Sequence, residues 1–322
     1  MENTKARNFS LKGFLQHNSY IFSAVLVIVA FYLINPSFLT LYSLQNMSLE
    51  IAPLLPMACG IGFVLYAGCI DLSIGAVASA TCVITGTYVI YTGHWMIPLM
   101  LIFGALIGFI NGTLVSRVKI PSFIVTLCAQ SVYRAMAIII SNGCSNTIPI
   151  KQRYIVNWAT MKVLGFPIIL WISIVLMIGC VIIERKTELG KSIFAIGANE
   201  RAARLAGVNT AHIKTLAFML CSLGASIGGI MYAYKLKSSV PTIGDNLYMM
   251  AISSVALGGT LFSGGKGSAL RTLIGVITVI SISSGMNMAG VDPLWKEVVF
   301  GVVLILAVAI NSEKGGRDLI IK

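Results

Sequence analysis

The sequence predicts an all-α, polytopic membrane protein with about ten transmembrane helices, and three observations point there. Of its 322 residues, 57% are hydrophobic and only 11% are charged, whereas an ordinary soluble domain carries roughly 25% charged residues. The mean hydropathy is +0.89. The apolar residues also gather into runs bounded by Pro, Gly and charge, long enough for the ~20 residues that a spanning helix needs.

Those runs lie near 20–34, 48–68, 72–92, 95–116, 121–141, 166–184, 213–234, 246–263, 268–286 and 294–311. The first ends at Asn35-Pro36 without the small-residue cleavage site of a signal peptide, so it reads as a retained helix behind a tail of about residues 1–19. The second carries Glu50, Pro53 and Pro56 and should be irregular. The fourth and seventh share the pattern G-A-x-I-G-x-I, at 104–110 and 224–230. Such small-residue faces let helix backbones approach closely in lipid. Their opposite directions are those of a possible inverted repeat, although independent packing motifs would look the same. Trp95, Trp158, Trp171 and Trp295 fall near expected outer ends, where indole rings anchor at headgroup level.

Orientation follows from the basic residues. Lys5, Arg7 and Lys12 precede the first run, Arg117 and Lys119 follow the fourth, and Arg185, Lys186, Lys191, Arg201, Arg204 and Lys214 follow the sixth. Lys266 and Arg271 follow the eighth, and Lys314, Arg317 and Lys322 close the chain. With ten spans all of these share one side, so both termini are expected in the cytoplasm. The segment 142–165, with Lys151, Arg153 and Lys162, runs against this trend and would be the longest outer connection.

The polar stretch at about 185–212 is the exception to the chain's greasiness. Asn199 can cap a short helix, Glu200 suits its positive pole, and Gly207 supplies a left-handed stop. Between them stand Ala202, Ala203, Leu205 and Ala206. A helix of about two turns is too short to persist alone in water. It needs either a partner groove, rimmed by Glu200, Arg201 and Arg204, or the membrane surface.

Asp71 stands between Ile70 and Leu72, where an acid must be capped, paired or wet. Asp71 or Ser73 can cap the third helix. Alternatively, a broken helix can turn these oxygens toward a translocation path. Asn111, at the end of the fourth run, can either hydrogen-bond between helices or face that same path.

Several chemistries are excluded or disfavoured. The net charge of +12 does not form a basic stripe with aromatics, so no nucleic-acid partner is expected. The seven cysteines are scattered without metal or redox spacing and read as packing residues. Gly259 and Gly264 have a phosphate-loop gap, but Gly265 stands where Lys is required; Gly190-Lys191-Ser192 lacks the upstream glycine. The chain should therefore not bind ATP itself. His17, His94 and His212 are far apart, and the runs hold no paired acids. No catalytic group, metal site or cofactor is expected.

The order K-T-E-L-G-K-S-I-F-A-I-G-A-N-E-R-A-A-R-L-A-G-V-N at 186–209 resembles the coupling loop of bacterial ATP-binding-cassette importer permeases of the ribose, arabinose and autoinducer-2 group. Ala202-Ala203-x-x-x-Gly207 matches the E-A-A-x-x-x-G core, with the acid, Glu200, one residue early. The stretch 68–75 is similar to the group's G-I-D-L-S-x-G signature with Cys69 inserted; 111–115 with 120–127 matches N-G-x-L-V…I-P-x-F-I-V-T-L; and 257–268 matches a late glycine-rich turn. The likeness covers about 50 to 311 in order.

The resemblance implies a single permease domain over 1–322 in the bacterial inner membrane, importing a monosaccharide or related polar solute without catalysis of its own. It implies three protein partners besides the lipid bilayer: an ATP-binding-cassette ATPase, an extracytoplasmic solute-binding protein and a second permease chain. Gly190, Asn199, Glu200, Ala202, Ala203 and Gly207 would form the ATPase-coupling site, and Asp71, Ser73 and Asn111 would line the pathway. The binding protein would touch 142–165, where Arg153, Tyr154 and Trp158 stand. The rival readings are a branched-chain amino-acid or nucleoside permease, an ion-driven carrier acting alone, and a structural membrane protein without solute flux.

Overall fold

The computed structural model describes residues 19–311 apart from Pro293, so the tail basic residues of the topology argument lie outside the described residues. The helices are α1 (Ser19–Ile34), α2 (Leu41–Tyr66), α3 (Ile74–Thr92), α4 (Met96–Ser116), α5 (Ser122–Ser141), the single turn α6 (Tyr154–Asn157), α7 (Ile168–Lys186), α8 (Glu188–Ala198), α9 (Glu200–Leu205), α10 (Thr210–Leu236), α11 (Gly244–Leu257), α12 (Ala269–Met288) and α13 (Leu294–Asn311). Each apolar run of the sequence falls on a helix. By length and composition, however, six segments of the described residues qualify as membrane spans: Leu41–Tyr66, Ile74–Ser116, Ser122–Ser141, Ile168–Lys186, Thr210–Leu236 and Ala269–Met288. Tyr20–Ile34 is apolar but shorter. A count of ten passes thus does not follow from length alone; α11 has 14 residues, only ~21 Å of rise against a hydrocarbon core of ~30 Å.

Ile74–Ser116 is a hairpin of two helices. Gly93, at φ 58°, ends α3, and a 3-10 turn at Gly93–Trp95 starts the return. Ser226 touches both arms at one level: Thr81 Oγ1 lies 3.3 Å from its hydroxyl, and a Cβ on Gly104 would meet that hydroxyl at 2.2 Å. Ser73 and Asn111 pair lower down the same hairpin.

α10 is the hub. Along one face, Cβ atoms on Gly104, Gly108 and Gly112 would strike Ser222 O, Met219 Cα and Thr215 Cα at 2.8, 2.5 and 2.7 Å. Numbers rise on α4 as they fall on α10, so the two helices cross antiparallel. On another face, Gly224 and Gly228 lie against Pro56 O and Pro53 O of α2. Pro53 and Pro56 lack the N–H groups that would bond Leu49 O and Ala52 O, and the Ser173 hydroxyl of α7 donates to Ala52 O instead, which is where the irregularity of α2 lies. Gly229 lies against Ala78 O of α3. Both G-A-x-I-G-x-I motifs are therefore packing faces.

At the end of the bundle holding the α3–α4 turn, 142–167 forms a small cap. Asn146–Thr147 pairs antiparallel with Ser238–Ser239, and Lys162–Val163 pairs with Phe166–Pro167. Within it, Ile148, Val156 and Ala159 are buried. Trp158 packs edge-on to Tyr234 at 5.8 Å, and Arg153 Nε donates to Ile148 O at 3.1 Å. Both are half-buried, while Tyr154 is exposed. Of the cysteines, Cys59, Cys69, Cys82 and Cys221 are buried as packing residues, but Cys128 and Cys144 are exposed.

Candidate coupling joint and polar sites

The polar stretch holds two helices, not the one helix of two turns expected. α8 starts at Thr187, whose hydroxyl accepts the Gly190 N–H at 3.2 Å, with Glu188 in its positive first turn. It buries Gly190, Ile193 and Ile196 at helical spacing. A Cβ on Gly190 would meet Ile183 O at 2.2 Å, so α8 folds tightly back on α7.

α9 is capped as its residues indicate. Asn199 Oδ1 accepts the Ala202 N–H at 3.0 Å. At its other end, Val208 N donates to Ala203 O and Gly207 N to Arg204 O, both at 3.1 Å, with Gly207 at φ +88°. This is a Schellman closure. Glu200 accepts from Lys214 Nζ at 2.8 Å and pairs with Arg204 at 3.3 Å, which ties α9 to α10. Ala203 is buried in the chain, whereas Arg201, Ala202, Arg204 and Ala206 are exposed. Leu205, beside them, is 84% exposed. The outward face thus differs from the one the motif suggests: Ala203 anchors α9, and Leu205 is presented.

α8 sits in a joint that sequence reasoning missed. The ring of Phe194 stacks on Tyr66, at the end of α2, at 4.8 Å and 20°. A Cβ on Gly197 would fall 1.9 Å from Tyr66 O and 2.4 Å from Gly265 N. The Gly265 N–H donates to that carbonyl at 2.9 Å. The late glycine-rich turn is therefore the seat of α8, with Gly264 and Gly265 at φ +86° and +77°, a region open to Gly without cost.

One further contact completes the joint. Ser268 offers α12 no side-chain cap, and the buried Glu184 of α7 supplies one in its place: its Oε2 accepts the Ala269 N–H at 2.7 Å. The only hint of this in the sequence was an acid at the last turn of an apolar run.

Asp71, Ser73 and Asn111 come together at the same end of the bundle. Asp71 Oδ1 accepts from Ser73 N at 2.8 Å and from Ser73 Oγ at 2.6 Å. Asn111 Nδ2 donates to Ser73 Oγ at 3.1 Å, and the Tyr133 hydroxyl donates to Asn111 Oδ1 at 3.3 Å. Tyr133, on α5, was not singled out by the sequence. Asp71 is 1% exposed, and its Oδ2 has no hydrogen-bond partner. Burial pushes its carboxyl up from the ordinary value, against the lowering effect of the Ser73 hydrogen bonds.

A cavity of about 640 Å³ lies at the opposite end, where the start of α2, the end of α10, the start of α11 and the end of α12 meet. None of Asp71, Ser73 and Asn111 lines it.

The structure is thus a bundle of apolar, membrane-spanning helices with an amphipathic, capped helix pair clamped to one end. Residues 43–308 match the family described as branched-chain amino acid transport system / permease component, and the chain belongs to that family. It is 30% identical to the ribose import permease protein RbsC of Escherichia coli strain K12 over 317 residues, which is 97% of this chain and 99% of that one. The RbsC of Bacillus subtilis strain 168 is 28% identical, with 97% of each chain covered. The L-arabinose transport system permease protein AraH of Escherichia coli strain K12 is 30% identical, covering 93% of this chain and 91% of its own. No solved structure matches. The chain is thus a multi-pass membrane permease and not an enzyme.

Proposed function

We propose that this chain is the permease subunit of an ATP-binding-cassette importer for a monosaccharide or a related small polar solute. One observation carries the reading: the likeness to permeases named for ribose and arabinose runs from end to end at about the same identity. The second reading, a branched-chain amino-acid permease, has the family's description in its favour. The partners are a cytoplasmic ATPase, an extracytoplasmic binding protein and a second permease chain.

Ten passes place both termini, α8, α9 and the Asp71 network in the cytoplasmic half, and Trp95, Trp295 and the 142–167 cap outside. This arrangement gathers Arg117, Lys119, Arg185, Lys186, Lys191, Arg201 and Arg204 on one side. The antiparallel run of α4 and α10 suits two halves of inverted topology. The ATPase docks on Arg201, Ala202 and Leu205 and moves α8 with α9; Gly190, Asn199, Glu200, Ala203 and Gly207 hold that pair in shape. Asp71, Ser73 and Asn111 close the inner end of the pathway, and the unpaired Asp71 Oδ2 meets water or solute when that end opens. The binding protein rests on the cap at Tyr154 and Leu164, both exposed.

The test is uptake of radiolabelled D-ribose, L-arabinose and L-leucine by proteoliposomes holding this chain with its ATPase and binding protein. Pentose uptake that requires ATP and both partners is expected. Leucine uptake alone selects the second reading, and uptake by the chain without partners, on an ion gradient, replaces both with a secondary carrier.

A further inference from the structure

We infer that the 640 Å³ cavity at the end away from the coupling joint is a resting site for a polyhydroxylated solute; the inference rests on the sugar-permease reading above. Its volume falls within the ~300–1,000 Å³ of small-molecule sites. Its place is that of an outer vestibule. Glu50 lines it on α2, and from position 50 to the Tyr66 that clamps α8 is ~24 Å of helix at 1.5 Å per residue.

The wall has the chemistry of hydroxyl recognition. Asn46 of α2, Asn246 of α11 and Asn287 of α12 bring carboxamides from separate helices to one space. Each is exposed to it, and no side-chain hydrogen bond within the described residues occupies them. A carboxamide offers an acceptor and two donors side by side. One such group can therefore take both hydroxyls of a vicinal diol, and three around a space can hold a ring from several directions. Ser284 adds a hydroxyl from α12.

Three charged side chains line the wall, Glu50, Lys235 and Lys296, and the first two satisfy each other. Lys235 of α10 meets Glu50 at 2.5 Å and lies 5.2 Å from the Tyr232 ring. A branched aliphatic side chain would displace water from these carboxamides and give no hydrogen bond back. A polyol replaces that water group for group. The carboxamides therefore favour hydroxyls, while Met47, Ile243, Leu247 and Met250 in the same wall offer apolar surface to the C–H groups of a sugar ring.

The test uses the assembled transporter in proteoliposomes, with this chain carrying Cys128→Ser and Cys144→Ser to remove its exposed thiols. In the Asn46→Leu/Asn287→Leu double variant, present in the membrane at parental level, uptake of the transported pentose should fall at least tenfold. In a separate Asn287→Cys variant, a membrane-impermeant sulfonate thiol reagent added outside should block uptake, and saturating pentose should slow that block severalfold. The Asn287→Cys result stands even where the double variant fails to fold. Parental uptake in the double variant overturns the inference. So does a thiol that reacts without pentose protection, and so does one that never reacts, as a second permease chain seated in the cavity would cause. In those cases pentose uptake by the parent still stands and only the cavity assignment falls. A parent that carries leucine and no pentose defeats the sugar reading itself and the inference with it.

Discussion

At the scale of single residues, two buried acids have opposite roles. Asp71 has one oxygen bonded and one bare, and burial is the larger influence on its carboxyl. A folded-state pKa above the unfolded ~3.9 means that the native chain holds the proton more tightly. The stabilisation from protonation is then complete below that unfolded value and disappears as pH rises through the raised one. Asp71→Asn keeps an acceptor for Ser73 and never ionises. Its melting temperature in detergent should exceed that of the parent at pH 7, and the gap should close as pH falls toward 4. A gap independent of pH would mean that the side chain's shape, not its charge, is at issue. Glu184, by contrast, is spent on capping α12. Glu184→Ala should remove about 1 kcal/mol, read as a fall of about 2 °C in melting temperature, whereas Glu184→Gln, which keeps an acceptor, should lose less. The sequence marked Asp71 because a lone acid between apolar residues is costly wherever it sits. It could not reveal that Ser73, Asn111 and Tyr133 would converge on it, since these come from three helices whose register is set by tertiary packing.

At the scale of elements, the small residues decide which helices can touch. That the apolar runs are helices was legible because the runs and their Pro, Gly and charge boundaries are local; how many of them cross the membrane was not, since six segments of the described residues qualify by length and composition. The short caps were legible for the same reason: Asn199 and Gly207 do what their side chains allow in any context. The partner of each glycine face was not legible. Gly108 on α4 meets backbone on α10, Met219 Cα and Phe218 O, both 2.5 Å from a Cβ placed there. Gly108→Leu therefore forces the helices apart, and overpacking of this kind costs 1–3 kcal/mol or more. Its abundance in the membrane should fall several-fold, while Ile110→Leu, on the exposed side of the same helix, should stay within about 0.5 kcal/mol of the parent. Equal abundance of the two would show that α4 and α10 have slack the geometry does not suggest. The glycine-rich turn teaches the same lesson. Its spacing ruled out a phosphate loop and allowed a tight bend, but that it cradles α8 depends on Tyr66, two hundred residues upstream.

At the scale of the whole molecule, the joint determines how movement at the polar loop reaches the bundle. α8 is fixed to α2 through Tyr66 and to the turn before α12 through Gly265. α7 is fixed to α12 through Glu184, and α9 to α10 through Glu200 and Lys214. A displacement of α8 and α9 therefore acts on α2, α7, α10 and α12 together. Three of these, α2, α10 and α12, also wall the distant cavity. Docking of the ATPase and transmission of its movement should then be separable. Leu205→Glu places a charge on the exposed docking edge, so the ATPase should seat poorly, and ATP hydrolysis by the assembled complex should fall in step with uptake. Gly197→Val leaves that edge intact. Its new Cβ would lie 1.9 Å from Tyr66 O, a backbone atom that cannot swing aside, so α8 must lift from its seat. Solute uptake should fall at least tenfold while hydrolysis stays within about twofold of the parent, a ratio of ATP consumed to solute moved that rises by a similar factor. If both variants lower hydrolysis and uptake in the same proportion, the joint is part of the docking surface, and the force must enter the bundle by another route.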